Sequence, residues 1–181
     1  MEQVLQDLDA AGGIIYVSLR YFIAGADRDD RIGEGKEDAN HLITLATRAA
    51  GRRPHLSVFG TDYPTPDGTC IRDYIHVDDL AAAHVLALEA LEQGSPTATY
   101  NLGSGRGYSV LEVIKAAEKV TGKKVPYRVG PRRPGDPAVL VASAEKAMAE
   151  LGCGRGILVW RKLSPLPRSG TATTPMGFCQ L

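Results

Sequence analysis

The sequence carries no surplus of either charge: 21 Lys and Arg balance 21 Asp and Glu over 181 residues. A nucleic-acid binder or a polybasic membrane binder would show a basic excess, so neither partner class is expected. Long apolar runs are also missing. Nothing approaches the roughly 18 residues of a membrane span, and no secretory signal opens the chain. Cysteine is scarce: Cys70, Cys153 and Cys179 are widely spaced, odd in number and form no C-x-x-C. A disulfide framework or zinc site is therefore not expected, and a reducing cytoplasm is the expected compartment. His41, His55, His76 and His84 show no metal-ligand spacing. Neither a Ser–His–Asp order nor a nucleophile elbow is present. The acidic pairs Asp29-Asp30 and Asp78-Asp79 read as a solvated loop and a helix cap. No catalytic residue emerges from the residues alone, and no metal ligand.

What is present is α/β in pattern. Met1 to Ala11 places apolar residues at 1, 4, 5 and 8, a helical stripe stopped by Gly12-Gly13. Ile14–Phe22 is a continuous apolar and β-branched run, expected to be a strand buried on both faces. Residues 23–40 turn polar and read as a long surface loop. His41–Ala50 reads as a helix, Leu56–Phe59 as a short strand, and residues 60–68 as a loop dense in turn residues. Asp73–Val77 is extended and opens a helix to Leu91, with Asp78 or Asp79 as its N-cap. Thr97–Leu102 is a strand ending in Gly103-Ser104-Gly105-Arg106-Gly107. Ser109-Val110-Leu111-Glu112 is a capping box opening a helix to about Val120. Lys124–Val129 reads as a strand, residues 131–137 as an irregular loop and Ser143–Leu151 as a short helix. This alternation predicts a layered, largely parallel sheet. Residues after Gly152 have no sustained periodicity.

Three constellations bear on chemistry. The glycine run after TATYNL is G-x-G-x-G rather than G-x-G-x-x-G, so a plain turn is favoured over a dinucleotide cradle. Arg72 and Arg132-Arg133 sit beside rigid Gly/Pro-rich loops, and a guanidinium held in that way suits bidentate binding of phosphate oxygens. Plain solvation of surface arginines is the competing reading. Ser57-Val58-Phe59-Gly60-Thr61 puts an aromatic ring at a strand end, where it either flanks a flat base or packs in the core.

Longer strings sharpen this picture. LRYF at 19–22, RIGE at 31–34, FGTDYPTPDGTCIRDYIHVDDLAAAH at 59–84, YNLGSGRGYSVLEVI at 100–114 and PRRPGDPAVLVAS at 131–143 occur in one order. Over residues 1–152 they resemble the carboxyl-terminal half of the UDP-glucose 4-epimerases, extended short-chain dehydrogenase/reductases. The resemblance implies the C-terminal part of an extended Rossmann-like fold with its substrate-binding subdomain. It implies interconversion of UDP-glucose and UDP-galactose through NAD, which removes hydride from C4 of the sugar and returns it to the opposite face. It also implies a homodimer built through helices, of which Met1–Ala11 would be one.

Residue by residue, the resemblance assigns Phe22 to the surroundings of the cofactor. Leu42 falls on the stretch that contacts the nucleotide, and Ser57, Val58 and Phe59 on the strand end lining uracil and ribose. Arg72 and Arg133 match the arginines on the diphosphate, and Asp136 the acid on the ribose hydroxyls. The family's catalytic tyrosine belongs to a YxxxK motif, and no tyrosine here has a lysine four residues on. No residue of this chain is therefore assigned a catalytic role. Departures from the pattern fall at Ile23, where the family has asparagine, and at Thr44, where it has proline. One residue is also missing from each of these two segments, and a one-residue loss in a helix rotates the remainder of that helix by roughly 100°.

The opening helix lacks a preceding strand, so an amino-terminal half is expected to be missing. Residues 153–181 depart wholly from the family. Read two bases on, with third positions mostly G or C, the codons for Ser169–Phe178 give G-H-R-D-H-P-D-G-F, close to the family ending. A frameshift just after Gly152 and a poorly ordered tail are expected. Two functional readings result: a truncated epimerase inactive alone, or a non-catalytic UDP-sugar-binding module that pairs with a separate NAD-binding half. An open strand edge and an open apolar face predict association, whereas a self-sufficient binding module would be a monodisperse monomer.

Overall fold

The computed structural model describes residues 1–21, 23–24, 41–51 and 55–152. The expectations for Phe22, for residues 25–40 of the 23–40 loop and for the 153–181 tail lie outside the described residues; residues 23–24, read as the start of that loop, instead form a short strand.

Helix α1 (Glu2–Ala10) leads into strand β1 (Val17–Tyr21), with β2 (Ile23–Ala24) beyond it. Helix α2 (Leu42–Gly51) precedes β3 (Leu56–Phe59), β4 (Ile71–Asp73) and β5 (Ile75–His76). Helix α3 (Val77–Glu92) is followed by β6 (Ala98–Leu102), β7 (Gly107–Ser109) and α4 (Val110–Thr121). The described chain closes with β8 (Tyr127–Gly130), β9 (Val139–Leu140) and α5 (Glu145–Glu150). No helix among the described residues is long and apolar enough to cross a membrane.

The strands make four small sheets among these residues rather than one. β1 pairs with β6, β2 with β5 and β3 with β8, all parallel. β4 is central to the fourth sheet, antiparallel to β7 and parallel to β9. Neither β7 nor β9 is legible in the sequence, being three and two residues long.

Two apolar clusters result. In one, Ile43, Ala46 and Ala49 of α2 meet Val113, Ile114, Ala116 and Ala117 of α4 over Leu56 and Val58. In the other, α3 and α5 pack Leu80, Ala83 and Ala147 against Tyr100 and Leu102 of β6. Tyr74 belongs to the first cluster and Ile75 to the second. Successive side chains of an extended segment point to opposite sides, so this stretch joins the two cores. Helix α4 forms as expected. The Ser109 side chain accepts from the Glu112 amide at 3.1 Å, and the Glu112 carboxylate accepts from the Ser109 amide at 2.8 Å. Gly122, at φ 66°, ends the helix in the left-handed conformation that glycine adopts without strain.

Two expectations are corrected. The N-cap of α3 is His76, whose Nδ1 accepts from the Asp78 amide at 3.1 Å. Asp78 and Asp79 instead stand in the first turn, where negative charge favours the helix dipole. Strand β1 is shorter than Ile14–Phe22 and has no buried residue. Ile15 is 62% exposed, and β6 is the only strand paired with β1 among the described residues. The apolar run has the composition of a strand flanked on both sides, and among the described residues only one flank carries a paired strand. α1 buries no residue either, meeting β1 through Glu2, which accepts from Ser18 Oγ at 3.2 Å and Arg20 Nε at 2.7 Å.

Candidate binding site

The residues assigned to a nucleotide come mainly from β3, β4 and the loop after β8. In β3, Leu56 and Val58 are buried while Ser57 and Phe59 are not, the alternation of a half-buried strand. Gly60 follows with φ 82°, and a Cβ there would lie 2.7 Å from both Tyr63 Cε2 and Arg132 Cγ. Only glycine lets those two side chains close over the strand end.

Arg132 and Arg133 then diverge. The Arg132 guanidinium lies 4.2 Å from the Tyr63 ring centroid, donates from Nε to Asp62 Oδ1 at 2.8 Å, and donates from Nη2 to the Asp62 carbonyl. It clamps the loop after β8 to the loop after β3. Arg133 turns the other way, with its guanidinium 4.0 Å from the Phe59 ring centroid. No carboxylate pairs with Arg133 among the described residues.

Arg72, on β4, donates from Nη1 to the Ile71 carbonyl at 2.7 Å and from Nη2 to Asp136, its ion-pair partner. These groups line one cleft of about 660 Å³, a size typical of small-ligand sites. Leu42, Ser57, Phe59, Arg72, Arg133 and Asp136 all stand in its wall. Of the assigned residues within the described chain, Val58 alone is not in that wall, because its side chain is fully buried in the α2–α4 core. Phe59 lines the cleft and is not among the buried core residues, so its core-packing reading is not met.

Cys70 and Tyr74 also line the cleft, and neither is singled out by the sequence reading. A signal exists for both: Cys70, Arg72 and Tyr74 alternate along C-I-R-D-Y, and an extended chain sends such residues to one side. Burial pushes the Cys70 thiol up, with the Arg72 charge opposing. Burial likewise pushes the Tyr74 phenol up to about 12, and charge at Cys70 adds to the rise. Burial thus favours the neutral form of both groups.

The Tyr74 shift carries a pH signature. A folded-state pKa raised above the ordinary 10.0 contributes stability that is fully present below that value and is lost as pH rises through about 12. The loss amounts to about 2–3 kcal/mol across that window. Urea unfolding between about pH 9 and pH 12 is expected to show this decline, and Tyr74→Phe should make it shallower. Identical slopes in both chains would contradict the burial of a neutral phenol.

The glycine run after β6 is a closed structure. The Asp73 carboxylate, 1% exposed, accepts from the amides of Ser104 (3.0 Å), Gly105 (3.2 Å) and Ala142 (3.2 Å) and from Ser104 Oγ (2.5 Å). A Cβ on Gly103 would lie 2.4 Å from Asp73 Oδ2. The turn's free amides are thus spent on an internal carboxylate, in keeping with a plain strand-to-helix turn.

Residues 1–103 match the NAD dependent epimerase/dehydratase family, more than half of the chain. The chain belongs to that family. Among individual relatives of this chain, a UDP-glucose 4-epimerase of Azospirillum brasilense is 55% identical over 153 residues, which are 83% of this chain and 44% of the relative. The crystal structure of UDP-glucose 4-epimerase from Brucella ovis in complex with NAD superposes with a TM-score of 0.78 at 48% identity, covering 83% of this chain and 47% of that one. A Stenotrophomonas maltophila UDP-glucose-4-epimerase with bound NAD and formylated UDP-arabinopyranose gives 0.77 at 50% identity, covering 83% and 46%. The chain thus spans less than half the length of these relatives.

Proposed function

We propose that this chain is the UDP-sugar-binding part of a UDP-glucose 4-epimerase and that it binds the nucleotide without turning over the sugar. The observation that carries this reading is the single cleft holding Phe59, Arg72, Arg133 and Asp136. Phe59 offers a flat apolar face to uracil or ribose. The two guanidinium groups offer charge-assisted bonds to the diphosphate, and Asp136 accepts from ribose hydroxyls. Ser57 and Leu42 stand in the same wall, and the uridine would lie against them. UDP-glucose and UDP-galactose are the proposed ligands, in a cytoplasmic setting.

NAD supplies the hydride acceptor in such a reaction, and the described residues do not fit it. Their glycine-rich turn at the end of a parallel strand is filled by Asp73, and no tyrosine of the chain precedes a lysine by four. Tyr74, the tyrosine in the cleft, is held protonated. The chain's own work is to bind and orient the UDP moiety. The expected result is UDP binding by calorimetry with no epimerisation of UDP-galactose when NAD is added. Turnover by the pure chain would overturn the assignment of catalysis to residues outside it.

A second reading is favoured by the apolar residues left uncovered. Val4 and Leu8 of α1, Ile15 before β1, and Val85 and Leu88 of α3 are all exposed. A separate NAD-binding half packed against them, or a second copy along α1, would cover this surface. Sizing of the chain alone is expected to show association; a monodisperse monomer with a sharp thermal transition would support a self-sufficient binding module instead.

A further inference from the structure

The two arginines of the cleft are in different states. Arg133 lies over Phe59 with no carboxylate partner among the described residues, whereas Arg72 already holds an anion, the side chain of Asp136. The other donor that Arg72 directs to protein is spent on the Ile71 carbonyl at 2.7 Å. Both members of the Arg72–Asp136 pair are largely screened from water, with side-chain exposures of 18% and 27%. Asp136 and Arg133 also share a tight turn: the Asp136 amide donates to the Arg133 carbonyl at 3.3 Å, across Gly135 at φ 78°.

An incoming phosphate oxygen that reaches Arg72 meets the Asp136 carboxylate already bound there, and it either displaces that carboxylate or sits beside it. A free inorganic anion brings acceptors only, so it either costs the half-buried carboxylate its partner or places a like charge next to it. A nucleoside diphosphate also brings the two ribose hydroxyls, which donate to that carboxylate and offset either cost.

We propose that Asp136 is a specificity-determining residue, an internal anion that disfavours free phosphate and pyrophosphate at Arg72 and admits nucleoside diphosphates there. This rests on the UDP-binding reading above and adds a selection rule to it. Discrimination then lies in what the ligand returns to the carboxylate, not in the number of arginines it meets.

The test is calorimetry of pyrophosphate, UDP and uridine with the full 181-residue chain and with Asp136→Asn and Asp136→Ser, at one fixed ionic strength. Both substitutions are expected to tighten pyrophosphate at least tenfold and to weaken uridine, so the preference for UDP over pyrophosphate shrinks by at least tenfold. Misfolding cannot mimic this, because a chain that lost its fold would lose pyrophosphate rather than gain it. Unchanged or weaker pyrophosphate binding in both variants, with UDP still bound by the unaltered chain, would overturn the selection rule alone. Failure of the unaltered chain to bind UDP would overturn the reading on which it rests.

Discussion

Asp73→Ala is expected to cost about 3–5 kcal/mol of folding free energy, a large share of what a domain of this size possesses. The carboxylate accepts from three amides at once, those of Ser104, Gly105 and Ala142. It lies in the strand that adjoins both apolar clusters, so its loss frees the turn after β6 and the approach to α5 together. Unpaired amides in a dry site each cost about 1–3 kcal/mol, and the small alanine leaves a void beside them. Asp73→Asn keeps one acceptor oxygen and should fall between the two. Equilibrium urea unfolding measures both. A loss below about 1 kcal/mol for Asp73→Ala would show that the turn holds its shape without the carboxylate.

The second large effect is expected at Gly68, where the constraint is backbone against backbone. Its φ is 79°, and an added Cβ would stand 2.1 Å from the Thr61 carbonyl oxygen and 2.8 Å from its carbon. No rotamer change relieves that approach. The loop from 61 to 69 is cross-braced around this point: the Tyr63 amide donates to the Gly68 carbonyl at 2.9 Å and the Thr69 amide to Asp67 Oδ1 at 2.9 Å. Ser109, the N-cap of α4, donates its hydroxyl to the other Asp67 oxygen. Displacing Gly68 therefore disturbs the cap of α4 and the strand carrying Arg72. Gly68→Ala is expected to cost about 3 kcal/mol or more, with parallel loss of UDP binding. Gly94→Ala, at φ 82° with nothing within 4 Å of its Cβ, carries the conformational cost alone and should stay near about 1 kcal/mol. Similar losses at the two positions would contradict the steric argument.

The helices are legible in the sequence because their signals are local. The Ser109–Glu112 box, the Gly12-Gly13 stop and the apolar spacing of α4 each act within a few residues. The cap of α3 is not legible in this way, because Asp is the commoner cap and the choice of His76 depends on where β5 ends. β7 and β9 escape sequence reading altogether, since their pairing with β4 is a contact between segments 30 to 70 residues apart. The residues assigned to nucleotide binding are legible through long strings shared with a family, and the cleft brings six of them together. The strings do not show that Asp136 pairs with Arg72, or that Asp73 fills the glycine turn. Both are side-chain contacts across the fold, which residue spacing along the chain does not encode.

Whether the cleft grips a diphosphate through Arg133 is decided by comparing UDP with uridine. Arg133 sits over Phe59 without a carboxylate partner among the described residues, so its charge is available to a ligand. A charge-assisted bond of about 1.5–3 kcal/mol corresponds to a loss of roughly ten- to 150-fold when the group is removed. Calorimetry of Arg133→Ala should therefore show UDP weakened by at least tenfold while uridine, which lacks the phosphates, changes by no more than about twofold. Equal losses for UDP and uridine would mean that Arg133 supports the ring of Phe59 rather than the diphosphate, and that this cleft does not hold the nucleotide as described.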